Sequence, residues 1–248
     1  MTDDAATPAA PRSPRGDAAK PLKPRDAATL IILDRGQGEP RMLMGRRRMD
    51  VAFMAGKFVF PGGRVDKTDK DVAVASDLRA SEVAKLLVEM KGTPSAGRAR
   101  AIALAAIRET FEEAGLVIGT PLGRGAATAT AGWAGFLETG FAPALGGLTF
   151  FARAITPPGR PRRFDTRFFC IDADAISQRL EIRDGELSGL DWITLEQARA
   201  LELPNITRVI LEDLHEGLAT GTIGDSRVPV PFYHFKNGSS RRDTIVAP

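Results

Sequence analysis

The stretch from Arg98 to Ala114 constrains this chain more than any other, because it reads as one helix with two incompatible faces. At about 100° per residue, Leu104, Ile107, Phe111 and Ala114 form an apolar stripe, and Glu109, Glu112 and Glu113 gather on the opposite side. The apolar stripe needs a sheet or helix to lie on. Strand-like runs are at hand: Ala28–Leu33, Arg41–Gly45 and Lys57–Phe60 before the helix, then 148–155, 164–171 and 186–193 after it. Other helical patterns fall at 81–91, with Ser81 as N-cap and Gly92 as stop, and at 194–201 and 205–218. This alternation predicts one α/β domain over residues 26–220. Residues 1–25 carry almost no large apolar side chain and are expected to be a disordered tail, and residues 221–248, with Pro229 and Pro231, an irregular one. Phe164, Phe168 and Phe169 are read as core, with Asp165 and Arg167 pointing the other way.

Composition removes several functions. No apolar run approaches the roughly 18–20 residues of a membrane span, and the start of the chain lacks the apolar segment of a secretory signal, so the expectation is a cytoplasmic protein. The charge balance, 34 Lys+Arg against 31 Asp+Glu, is not the clustered footprint of a nucleic-acid binder. A single cysteine, Cys170, excludes an internal disulfide and reads as a small buried hydrophobe. With only His215 and His234 besides, nitrogen and sulfur ligands are too few for zinc. Any metal must be held by oxygens.

Carboxylates at i, i+3 and i+4 repel one another, and near a helix C-terminus they also oppose the helix dipole. A divalent cation reverses that sign, since hard oxygens on one face suit Mg²⁺ or Mn²⁺ beside substrate phosphates. The residues 108–116, Arg-Glu-Thr-Phe-Glu-Glu-Ala-Gly-Leu, resemble the second half of the Nudix box, with Thr110 at a position that is apolar in the family. Phe60-Pro61-Gly62-Gly63 resembles its start. Gly63 and Arg108 are 45 positions apart, about 31 more than in the usual box, and Asp69 stands where the box has its first glutamate. A long insertion, here about 70–100, marks the branch of the superfamily that includes coenzyme A diphosphatases.

The resemblance implies a Nudix α/β/α sandwich with a mixed β-sheet between helices, and hydrolysis of a nucleoside diphosphate derivative. It implies Glu109, Glu112 and Glu113 as ligands of Mg²⁺ or Mn²⁺, Glu109 also as general base, and Arg108 orienting Glu109 through a charge-assisted hydrogen bond. Gly62 and Gly63 would bring backbone close to metal or phosphate, and Arg47, within Arg46-Arg47-Arg48, would reach a substrate phosphate. Leu43, Arg47, Gly56, Phe60 to Gly63, Asp66 and Asp69 match the coenzyme A diphosphatase pattern, whereas Arg48, Ala52 and Met54 replace polar or basic members of it. Coenzyme A or acyl-coenzyme A is therefore one expected substrate, with ADP-ribose, nucleotide sugars and dinucleotides as others. A Nudix-fold sensor that binds nucleotide without hydrolysis is the alternative. No nucleic acid or membrane is expected as partner, and a homodimer is compatible with the family.

Overall fold

A computed structural model describes residues 22–36, 38–50, 54–123, 131–181 and 185–247. The disordered tail expected at 1–25 lies almost wholly outside the described residues. The chain enters the sheet with β1 (Arg25–Asp34), turns into β2 (Arg41–Arg47), and makes the short strands β3 (Phe58–Val59) and β4 (Gly62–Arg64). A single 3-10 turn at Asp69–Asp71 and helix α1 (Ala80–Leu87) precede the long helix α2 (Ala96–Ala114). Then follow β5 (Leu116–Pro121), α3 (Ala134–Glu138), β6 (Phe141–Pro143), β7 (Thr149–Ile155), β8 (Phe164–Asp172) and β9 (Ile176–Arg179). The chain closes with β10 (Leu187–Thr194), α4 (Leu195–Arg199), α5 (Asn205–Ala219), β11 (Val230–Lys236) and β12 (Ser239–Ile245).

The main sheet is mixed, in the order β10-β2-β1-β8-β7-β11-β12, with β3 beside β2 and β4 beside β1. β1 and β8 are parallel from Arg25 opposite Phe164 to Leu33 opposite Asp172. A smaller sheet, β6-β5-β9, lies alongside. Alternation along β1 divides the core. Ala28, Leu30 and Ile32 pack with Ile102, Leu104 and Ile107 of α2, whereas Ile31 and Leu33 pack with Ile210, Leu211 and Leu214 of α5. The result is the expected α/β/α sandwich. No helix among the described residues is long and apolar enough to cross a membrane.

Helix α2 departs from the expected division into wet and dry faces. It is buried nearly all round, with Arg108 and Glu113 only 6% and 5% exposed, because β4 and the 3-10 turn cover the side that the wheel assigns to solvent. It starts at Ala96, two residues before the Arg98 expected from the sequence, and ends where expected. The Ser95 side chain caps the start by accepting the Arg98 N–H at 3.2 Å, and Gly115, in the left-handed region at φ 66°, closes the end. Helix α1 is capped two residues earlier than expected, by Arg79 rather than Ser81, and ends at Leu87, since Val88 is extended and Glu89 takes φ 50° before Gly92 is reached.

Two other expectations need correction. Residues 221–248 are not an irregular tail, for β11 and β12 form a hairpin that extends the sheet beyond β7. Its turn is Asn237-Gly238, both at positive φ (51° and 79°), which is the strongest short hairpin signal a sequence offers. On β8, Phe168 and Phe169 belong to different cores, so Asp165 and Arg167 point away from Phe168 but not from Phe169, and both are buried. Both faces of this central strand are covered, so its charges are matched internally: Arg153 donates twice to Asp165 at 2.8 Å, and Arg167 donates to Asp26 at 2.7 Å.

Candidate active site

The C-terminal half of α2 lies against β4, and the backbone of β4 decides where two glutamates go. The Gly62 N–H donates to Glu113 Oε2 at 2.9 Å. A Cβ on Gly63 would fall on the Glu109 carboxylate, so only a bare backbone leaves that side chain its place. The two glycines thus seat glutamates. A Cβ on Gly62 would stand 2.5 Å from the Ala28 carbonyl oxygen and 2.7 Å from Thr29 Cα, both rigid backbone of β1. Gly62→Ala is therefore expected to cost about 3 kcal/mol in thermal unfolding, and Gly63→Ala, which meets only a side-chain end, less than about 1 kcal/mol. Equal losses would contradict this division.

Arg108 is the hub of the site. Its Nε and Nη2 donate to Asp69 Oδ1 and Oδ2 at 2.9 and 3.3 Å, and Nη2 also donates to the Arg64 carbonyl at 2.9 Å. Nη1 lies 3.0 Å from both Glu109 Oε1 and Glu112 Oε2. Burial opposes its charge, but Asp69 and the two glutamates outweigh that and hold it more firmly protonated than a free guanidinium. The carboxylates respond in the other direction. Burial pushes Glu109 up to about 7, with Arg108 opposing and Glu112 adding to the rise. Burial likewise pushes Glu113 up to about 8; the Gly62 N–H and Arg47 oppose this, and Glu109 and Glu186 add to it. A half-buried acid and a buried one, both held above the usual carboxylate range, form a place where positive charge is wanted.

Asp69 and Trp133 complete the support. Asp69 is fully buried and accepts four hydrogen bonds: the two from Arg108, one from Trp133 Nε1 at 2.9 Å and one from the Asp66 N–H at 2.7 Å. It is thus an anchor for Arg108 with its oxygens already engaged. Trp133, also fully buried and edge-on to Phe136 at 5.3 Å, has no part in the sequence reading. The available signal was general: a buried indole N–H needs an acceptor, and Asp69 is one. Thr110, at the family's apolar position, is buried without penalty because its hydroxyl donates to the Ala106 carbonyl at 2.8 Å.

Of the three arginines at 46–48, only Arg47 faces these glutamates, with Nη1 3.9 Å from Glu113 Oε1. Arg46 donates to the Gly56 carbonyl and Arg48 to Asp50. Cys170 is buried, and burial pushes its thiol up to about 12, which makes it inert. His234 pairs with Asp243 at 2.7 Å on the hairpin.

The donor set suits a hard divalent cation, being carboxylate oxygens two of which are strained by burial and mutual repulsion. In the conformation seen, Arg108 holds Glu109 and Glu112, and no group of three acidic, histidine or cysteine side chains among the described residues stands ready to hold a metal.

Solved structures of known proteins share this architecture. The chain is similar to a Nudix hydrolase from Alicyclobacillus acidocaldarius, with 26% identity over 77% of this chain and 90% of that one and a TM-score of 0.58. The Nudix domain of Shewanella oneidensis NrtR, solved with ADP ribose, matches at 11% identity over 79% of this chain and 90% of that one, with a TM-score of 0.46. A MutT Nudix hydrolase from Burkholderia pseudomallei matches at 19% identity over 78% and 99%, with a TM-score of 0.44. No protein-family profile and no curated protein matches the chain. The mixed sheet between helices, the glutamates of α2 seated on β4 and the likeness to the Alicyclobacillus enzyme identify the fold as that of the Nudix superfamily and the chain as a hydrolase of Nudix type.

Proposed function

We propose that the chain is a divalent-metal-dependent hydrolase that cleaves the diphosphate linkage of a nucleoside diphosphate derivative, with coenzyme A or acyl-coenzyme A as the first substrate to test. The observation that carries this reading is the seating of Glu109 and Glu113 side by side against the bare backbone of Gly62 and Gly63, where burial holds both carboxyls above their usual range. Together with Glu112, whose side chain is 45% exposed and would have to leave Arg108, they would hold Mg²⁺ or Mn²⁺. Such an ion, when bound, neutralises the diphosphate and lowers the pKa of a bound water.

The remaining work falls to the chain itself. Arg108, fixed by Asp69, sets the position of Glu109, which ionises near neutral pH in the metal-free chain and is the group suited to accept a proton from water. Gly62 and Gly63 keep Glu113 and Glu109 in register with each other. Arg47 offers a cation on the far side of Glu113 for a substrate phosphate. The coenzyme A reading rests on the partial sequence pattern around Arg47 and Gly56.

A second reading, a nucleotide sensor without turnover, is favoured by one feature: Arg108 engages both Glu109 and Glu112. Product analysis by mass spectrometry separates the two. Incubation with coenzyme A, acetyl-coenzyme A, ADP-ribose, NADH, a nucleotide sugar and dNTPs is expected to give metal-dependent cleavage of at least one, lost in a Glu112→Gln, Glu113→Gln double variant. Release of adenosine 3′,5′-diphosphate and a phosphopantetheine would identify coenzyme A. Binding without turnover across the panel would establish the sensor.

A further inference from the structure

The guanidinium of Arg167 on β8 is fully buried, and one of its edges has no acceptor in the protein. Nη1 donates to Asp26 Oδ1 at 2.7 Å and to the Asp165 carbonyl at 2.8 Å, and lies 3.2 Å from Asp165 Oδ1. Nε and Nη2 are sealed from solvent, and among the described residues nothing accepts from either. These two donors form the side-on edge of a guanidinium, the edge that matches an oxyanion. Arg35, Arg153, Arg199 and Arg227 each turn it to both oxygens of an aspartate or glutamate. For Arg167 the nearby carboxylates are already shared. Asp165 accepts twice from Arg153, and Asp26 accepts from Arg98 at 2.7 Å. Two carboxylates thus serve three guanidiniums, which leaves one positive charge over.

A charge taken out of water needs a counter-charge. Burial and the neighbouring Arg153 pull the Arg167 pKa down, against Asp165 and Asp26, but a guanidinium keeps its proton at neutral pH all the same. The positive end of α2 opens at the same corner, since Arg98 stands in its first turn. The link from α1 to α2 is tied there too: Arg153 donates to the Val88 and Glu89 carbonyls, and Arg98 to the Lys91 carbonyl. We infer that the Nε and Nη2 edge of Arg167 binds a small inorganic anion of the chloride class, which neutralises the cluster and so fixes the α1–α2 link and the start of α2 to the sheet. The setting selects the class of ion. A phosphate or carboxylate carried on a larger molecule has no way into a sealed site, whereas a bare ion enters through the local openings of a folded chain. One negative charge also balances the surplus without creating a new one.

Thermal melting of the full chain at constant ionic strength, with chloride exchanged for the bulky gluconate, reads the site without metal or substrate. Raising chloride from about 1 mM to about 200 mM is expected to raise the melting temperature by about 4 °C, the shift due to an ion held with a dissociation constant of about 10 mM. Arg167→Met leaves Asp26 to Arg98 and Asp165 to Arg153, and is expected to melt alike in both salts. Arg167→Lys keeps the charge without the planar edge; it serves if Arg167→Met does not fold, and is expected to lose about half of the shift or more. Crystals grown with bromide in place of chloride are expected to show an anomalous peak within hydrogen-bond distance of Arg167 Nε and Nη2. A parent that melts alike in both salts overturns the inference, as does a chloride shift that the Arg167 variants keep in full. Bromide at surface positions alone, with ordered water or nothing beside Arg167, means an adventitious ion only and overturns it as well.

Discussion

Glu113→Gln is expected to abolish hydrolysis, with a loss of about a thousandfold or more, and yet to make the metal-free protein more stable at pH 8. The second half follows from proton linkage. Glu113 is pushed from an ordinary 4.5 up to about 8 in the folded chain, so the native state binds a proton that the unfolded state releases. Its contribution to stability is whole below about pH 4.5 and drains away as the pH rises through about 8. For a group this buried the effect is on the order of 4 kcal/mol, or roughly 10 °C in melting temperature for a chain of this size. Glu109, raised to about 7, adds a smaller change of the same sign. Asp26 and Asp225 shift downward, Asp225 to about 2, so their losses come at more acidic pH and leave this window clear. Differential scanning fluorimetry of metal-free protein between pH 5 and 8 should show a falling melting temperature in the parent and a flatter profile in Glu113→Gln. Saturating Mg²⁺ should raise the parent most at pH 8 and the variant little. A parent profile that stays level across that range would refute the linkage.

Asp69→Ala is expected to be among the most damaging single changes in the chain. Both Asp69 oxygens are engaged, and its removal leaves the buried guanidinium of Arg108 and the indole N–H of Trp133 without their acceptor. Breaking one side of a buried ion pair costs about 3–5 kcal/mol. For this chain that corresponds to a fall of roughly 8–15 °C in melting temperature. Asp69→Asn keeps an acceptor for Trp133 but not the charge, and is expected to fall between the parent and Asp69→Ala. If Asp69→Ala melts within a couple of degrees of the parent, Arg108 is satisfied some other way.

How much of this was legible beforehand differs between elements for physical reasons. Strands β1, β7 and β8 announce themselves as apolar runs, and α2 by its period together with the Gly115 that closes it. Strands β5, β6 and β9 carry less signal: three or four residues of β6 or β9 give no period to count, and they are held by pairing with partners distant in the chain. The hairpin of β11 and β12 was obscured by Pro229 and Pro231, although Asn237-Gly238 marks it. The site divided in the same way. Spacing put the three glutamates on one side of α2, but it could not show that this side is covered, that Gly62 and Gly63 seat Glu113 and Glu109, or that Asp69 binds Arg108. Those contacts bridge 39 to 51 residues, and a local pattern has no access to them.

The link from Asp69 to Arg108 has a further consequence for how such a chain can vary. It clamps together two points 39 residues apart, while β4 on one side and α2 on the other are held by β1. Between Asp69 and the start of α2 the only regular helix is α1, and the entropy of closing the flexible parts of such a tied segment changes only with the logarithm of their length. The glutamates therefore feel the clamp rather than the number of residues spanned. Segments of very different size can be threaded between the two halves of the motif while the chemistry at its centre keeps its geometry, so that spacing in the sequence is a poor guide to distance in the site.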